Sequence, residues 1–301
     1  MYLEHFQLKE FPFSLTPNTS FYCKLPEHQA ALNTLLISLE NGEGFIKITG
    51  EVGTGKTLLC RKLLDSLNEE YVTAYVPNPD LTPDGLRKAL AHELEIKFKR
   101  NIDQHDLLQR ITKKLLDIHG QGKRAVLIVD EAQAMKHETL EAIRLLTNLE
   151  TESEKLLQII LFGQPELDKR LAQPELRQLK QRISFQHKLE PVDLNQMQSY
   201  IHHRLAIAGH TYNAIFSKKA AKLIYQASRG IPRVINMLCH KSLLSAYGKN
   251  KRQVDTRAAR AAIKDNQEIT IQAQSSNKWL LATILLVIVV AALAIILSVK
   301  L

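Results

Sequence analysis

Residues 50–57 read Gly-Glu-Val-Gly-Thr-Gly-Lys-Thr, between an apolar run, FIKIT (45–49), and an amphipathic stretch that begins at Leu58. Phosphate-binding loops have the form G-x-x-x-x-G-K-[ST] and need a strand before them and a helix after them. Glycines let the backbone wrap around phosphates, and successive N–H groups with the helix N-terminus supply positive potential. The spacing therefore predicts that Gly50, Glu51, Val52, Gly53, Thr54, Gly55, Lys56, Thr57 and Leu58 cradle a nucleoside triphosphate. Lys56 is expected at the β and γ oxygens, and the Thr57 hydroxyl on Mg2+. ATP and Mg2+ are the cofactors this pattern implies.

Outward from the loop, short strand-like runs alternate with helical periods. The runs are FIKIT, YVTAYV (71–76), AVLIVD (125–130), LQIILF (157–162) and ISFQHKL (183–189). Helical spacing fills 58–67, 85–94, 107–118, 140–149 and the stretch around 167–179. Such alternation predicts an α/β fold with a parallel sheet covered by helices on both faces. One run carries chemistry. AVLIVDE (125–131) ends in two carboxylates at the C-terminal end of a buried strand, where open α/β sheets bind ligands. Asp130 suits the Mg2+ shell, and Glu131 suits a base for the attacking water.

After Pro191 the strand pattern stops. Residues 195–208, 217–228, 232–247 and 256–264 read as helices, several with Ser, Thr or Asp near the start. Residues 265–277 are polar and without apolar periodicity. From 280 to 299 the chain reads LLATILLVIVVAALAIILSV, with no charge and with Lys278, Trp279 and Lys300 at its edges. Twenty residues at about 1.5 Å each match the hydrocarbon thickness of a bilayer, and the flanks match interfacial anchors. The expected organisation is a P-loop core (1–189), a helical lid (190–268), a polar tether (269–278) and one C-terminal transmembrane helix (279–299).

The 301 residues carry 40 Lys and Arg against 31 Asp and Glu, a formal +9, of which residues 1–277 hold +7. An excess of this size suits an anionic neighbour, nucleic acid or an acidic membrane face. Cys23, Cys60 and Cys239 are far apart and outside any zinc-ligand spacing, which excludes a disulfide framework and a zinc site. The N-terminal stretch carries Glu4 and Glu10 where a signal peptide needs a basic start and an apolar run. His202, His203 and His210 have no acidic or Cys partner at ligand spacing. No serine sits in a G-x-S-x-G context, so hydrolase chemistry of that kind has no support.

The strings GEVGTGKT, LIVDEAQ, FGQPEL (162–167), LRQLKQRI (176–183) and SRGIPRVIN (228–236), with the opening FPFSLTPNTSFY and EHQAAL (27–32), occur in an order that resembles the AAA+ secretion ATPases of the ExeA/GspA type. The resemblance covers nearly the whole chain. It implies an AAA+ P-loop sheet order, a helical lid and three further catalytic residues. Gln164 matches the polar sensor near the γ-phosphate. Arg182 matches the finger arginine, with Arg177 the second choice, and Arg233 matches the sensor on the lid. The family continues beyond its span into a periplasmic part, so the likeness is greatest to its shorter, pilus-assembly members.

The resemblance implies a membrane-anchored ATPase of pilus or secretion assembly. It would be single-pass in a bacterial inner membrane, with the catalytic domain cytoplasmic. The implied partners are further copies of the chain, in a homo-oligomer of ring type, inner-membrane assembly proteins, and lipid around the C-terminal helix. The competing reading is a DNA-dependent AAA+ ATPase of transposition or replication. The apolar run at 280–299 speaks against nucleic acid as the partner.

Overall fold

The computed structural model describes residues 2–266 apart from 153 and 211–213. The expected membrane span and the expected tether lie outside the described residues, and no helix among those described is long and apolar enough to cross a membrane. The chain divides into two compact units: residues 16–191, and residues 1–15 with 192 onward.

A one-turn helix, α1 (Tyr2–His5), opens the chain. The first unit then follows as α2 (Pro26–Glu40), β1 (Phe45–Gly50), α3 (Lys56–Ser66), β2 (Tyr71–Val76), α4 (Pro83–Glu93) and α5 (Gln104–Gly120). It continues with β3 (Arg124–Val129), α6 (His137–Leu146), β4 (Leu157–Gly163), α7 (Pro165–Leu171), α8 (Arg177–Gln181) and β5 (Phe185–Leu189). All five strands are parallel, in the order β2-β3-β4-β1-β5.

The strands read as unbroken apolar runs because alternate side chains enter two different cores. Ile46, Ile48, Val126, Ile128, Ile160 and Phe162 pack with Leu35, Leu39, Leu59 and Leu63 from α2 and α3. Phe45, Leu127, Val129, Ile159 and Leu161 pack with residues of α4, α5 and α6, among them Leu90, Ile111 and Ile143. Every residue of β1 is buried. A charge interrupts it at Lys47, whose ammonium pairs with Asp168 of α7.

The second unit is helical: α9 (Leu194–Ile207), α10 (Lys218–Ser228), α11 (Pro232–Tyr247) and α12 (Thr256–Lys264). Asp193, Ser217 and Asp255 cap α9, α10 and α12 through their side chains, each worth about 1 kcal/mol. Gly230 joins α10 to α11 at φ +75°, and a Cβ there would lie 2.1 Å from the Val192 carbonyl oxygen. Only glycine fits that approach.

Two sequence expectations are corrected, and one helix is added to them. Residues 1–15, read as part of the P-loop core, belong to the helical unit. Lys9 N–H donates to Ala208 O, the Arg204 guanidinium to Pro12 O, and Tyr2 OH meets His240 Nδ1 at 2.9 Å. These are backbone and buried-ring contacts that leave no periodic trace in the sequence. The stretch around 167–179 is two short helices, because Pro174 lacks the N–H that a continuous helix needs. Helix α2 went unread, although Ala31, Leu32, Leu35 and Leu39 form its buried stripe.

Candidate functional site

The loop 50–57 leaves the C-terminal end of β1 and enters α3 at Lys56. Gly55 stands at φ +103°, a left-handed conformation that turns the following amides toward the helix axis. A Cβ on Gly55 would lie 2.8 Å from His28 Nε2, so the cradle is closed to any side chain there. Lys56 is buried, and its ammonium donates to the carbonyl oxygens of Gly50 at 2.7 Å and Glu51 at 2.9 Å. Burial pushes its pKa down, against the neighbouring Glu131, Asp130 and Glu51 carboxylates that raise it. Leu58 follows within α3.

At the end of β3, which β4 separates from β1, Asp130 is buried and accepts a hydrogen bond from Thr57 Oγ1 at 2.8 Å. Burial raises the Asp130 pKa, and the Thr57 hydroxyl opposes it. The hydroxyl and the carboxylate are hard oxygen donors that suit Mg2+, a cation usually held by one or two protein oxygens together with phosphates. Among the described residues no group of three or more His, Cys, Asp or Glu could hold a metal on its own. The donor set therefore fits a nucleotide-borne Mg2+ rather than an all-protein cage.

Glu131 stands at φ +53°, uncommon for a residue with a side chain and concentrated at functional sites. Its Oε2 accepts from the amide of Gln133 and from Gln164 Nε2 at 3.2 Å. Gln133 Oε1 in turn accepts from Gln164 N–H at 2.9 Å, and Arg170 Nη1 donates to Gln133 O at 2.6 Å. The ends of β3 and β4 are thus tied together around one carboxylate.

The structure brings Gly50 through Leu58, Asp130, Glu131 and Gln164 into one region. It does not bring Arg182 there. Arg182 lies three residues before β5, whose Phe185 pairs with Ile46 near the start of β1. It donates to Thr147 O at 3.4 Å, at the opposite end of the sheet from the loop. Arg177 opens α8 and is exposed. Arg233 is the second residue of α11 in the helical unit, and its side chain is exposed.

Two residues of the site went unrecognised in the sequence. Gln133 was visible only as a letter within LIVDEAQ. His28, on α2, is buried, and its Nε2 lies 2.8 Å from the carbonyl oxygen of Thr54 inside the loop. A carbonyl only accepts, so Nε2 carries the proton, and buried Nδ1 has no hydrogen-bond partner among the described residues, which suits a neutral ring. Burial lowers its pKa, while the bond to Thr54 raises it. A His with a depressed folded pKa stabilises the fold above its unfolded value near 6.5, and that stability is lost as the pH falls below it. Thermal denaturation should show the wild-type melting temperature dropping from about pH 7 to about pH 5, and dropping less in His28→Gln. His240, also depressed by burial, acts with the same sign, so the slope shrinks without vanishing. An unchanged slope would show that the bond to Thr54 is not made by a neutral ring.

This arrangement of loop, hydroxyl, acidic strand end and parallel sheet defines an AAA-type P-loop ATPase domain, a class that takes ATP with Mg2+. Residues 39–171 match the family described as an AAA domain. Over 254 residues, 84% of the chain, the sequence is 41% identical to the general secretion pathway protein A of Aeromonas hydrophila, and it spans 46% of that relative's length. Among solved structures, the fold resembles the Aeropyrum pernix ORC1 protein in complex with DNA. That likeness has a TM-score of 0.62 and 17% identity, over 84% of this chain and 69% of that one. It also resembles Cdc6p from Pyrobaculum aerophilum, with a TM-score of 0.61 and 18% identity, over 83% of this chain and 71% of that one. At such identities these two likenesses speak for the fold alone.

Proposed function

We propose that the chain is a membrane-anchored AAA+ ATPase that hydrolyses ATP with Mg2+ to drive assembly of a pilus or secretion apparatus at a bacterial inner membrane, acting as a homo-oligomer. The observation that carries the reading is the reach of the 41% identity to general secretion pathway protein A. Its 254 aligned residues are nearly twice the number in the AAA match at 39–171, so the likeness extends well beyond the nucleotide chemistry. A DNA-dependent role draws on fold likeness and on a basic excess that suits an acidic membrane face equally.

In this mechanism the loop amides and Lys56 bind the phosphates and hold them in line. Thr57 and Asp130 would hold Mg2+, which would supply neutralisation of charge on the phosphate oxygens. Gln133 and Gln164 both hold Oε2 of Glu131, which fixes the carboxylate and leaves Oε1 to take a proton from water. Gln164, at the end of β4, reports on the same point from the other strand. Arg233 is assigned to the nucleotide of its own chain and Arg182 to that of a neighbour.

Fractionation of cells making the full chain tests the anchor. It should sediment with membranes, resist alkaline carbonate and come into solution with detergent, and a reporter at residue 1 should score as cytoplasmic. Release by carbonate or salt would contradict a spanning helix.

A further inference from the structure

The net positive charge of the chain lies in one unit. Residues 1–15 and 192–266 carry 14 Lys and Arg against five Asp and Glu, a formal +9. Residues 16–191 carry 24 against 25, a formal −1. The basic excess is therefore no general property of the surface, and the phosphate-binding unit does not share it.

Within the helical unit the excess becomes a stripe on α12. Arg257, Arg260 and Lys264 are exposed, while Ala258, Ala259 and Ala262 are buried. Spacings of three and four residues place the three cations on one side of the helix, with exposed Ala261 between them. The helix contains no acidic residue. Those that flank it are already engaged, Asp255 with Lys251 and Asp265 with Lys241. Helix α11 packs against α12 and exposes Leu244 and Tyr247.

We propose that the exposed face of α12, Arg257, Arg260 and Lys264, docks on anionic lipid headgroups of the membrane that the chain's apolar run enters. The proposal rests on the membrane-anchored reading above. Residues 267–279 separate the last described residue from the apolar run at 280, and 13 residues reach at most about 45 Å. A tether of that length holds the helical unit near the bilayer and makes even weak attraction an intramolecular event. The stripe lies 16–23 residues before Leu280 in the chain, largely inside the zone where basic residues bias a span's orientation. Each basic side chain near an acidic leaflet attracts it measurably, and three on one face reinforce each other. Exposed leucine and tyrosine on the adjoining helix suit the boundary between headgroups and acyl chains. A nucleic-acid backbone would use the cations but has no use for the apolar pair.

The test uses the full chain in vesicles of phosphatidylcholine alone or mixed with phosphatidylglycerol. Ala261→Cys in a Cys23→Ser background carries a fluorophore, and spin-labelled headgroups quench it. Quenching should be several-fold stronger with phosphatidylglycerol and should fade at high salt. Arg257→Glu, Arg260→Glu and Lys264→Glu together should lower occupancy of the docked state by about 10²-fold. ATP turnover of that triple variant in detergent should equal wild type, which shows that it folds. Equal quenching in both lipids, or quenching untouched by the triple variant, overturns the docking face. Loss of duplex-DNA affinity in the variant, with lipid quenching unchanged, overturns it in favour of nucleic acid. Resistance to carbonate without lipid-dependent quenching removes the docking and leaves the anchor. Release by carbonate with salt-sensitive, phosphatidylglycerol-dependent quenching removes the anchor and leaves the docking.

Discussion

Glu131→Gln is expected to bind ATP as wild type does while its turnover falls by about 10²-fold or more. The amide has the shape of the carboxylate and can still meet Gln164, whose side chain lies 3.2 Å away in the wild type. It cannot accept a proton from water, so only the chemical step suffers. Asp130 and Thr57 stay in contact, since their bond at 2.8 Å does not involve the Glu131 side chain. Binding is read with a fluorescent ATP analogue, and turnover by release of inorganic phosphate. Loss of binding in step with turnover would show that Glu131 holds the loop rather than activating water.

Arg182→Ala should bind ATP and barely hydrolyse it, although Arg182 lies far from its own loop. Ile46, the partner of Phe185, is four residues before Gly50, and four residues of strand cover about 13 Å. Arg182 lies three residues further back, so it cannot serve the nucleotide of its own chain. Arginines delivered across an interface supply roughly 10³–10⁵ in rate in other P-loop enzymes. Turnover per protomer should accordingly rise with protein concentration as copies associate. Arg182→Ala mixed with Lys56→Ala should recover part of the activity, because an intact loop then meets an intact finger at a shared interface. Turnover independent of concentration, with no recovery on mixing, would leave Arg182 the structural role its bond to Thr147 already gives it.

The parts of the fold legible in the sequence are those with a strong local signal. The run AVLIVD is β3 to within one residue at each end, because a strand buried on both faces allows no polar interruption. The loop was legible because its chemistry needs fixed residue types at fixed spacing. Lys47 lay inside a correctly read strand, but its partner Asp168 is far away in sequence and invisible to periodicity. His28 escaped for a related reason. It works on a backbone oxygen, and any residue at position 54 would offer one. The attachment of residues 1–15 to the helical unit rests on carbonyl oxygens of Pro12, Phe6 and Ala208, which likewise carry no side-chain signature. Contacts between distant side chains and backbone are the share of the structure that a single sequence leaves unwritten.

We assign ATP hydrolysis to one site, the loop at Gly50–Thr57 together with the strand end at Asp130–Glu131. Its most direct test is phosphate release by the detergent-solubilised full chain, with Mg2+ and with a chelator, beside Lys56→Ala prepared in the same way. Release should require Mg2+ in the wild type and stay at background in Lys56→Ala, with ATP binding weakened as well. Equal release by the two proteins, or release indifferent to Mg2+, would contradict it.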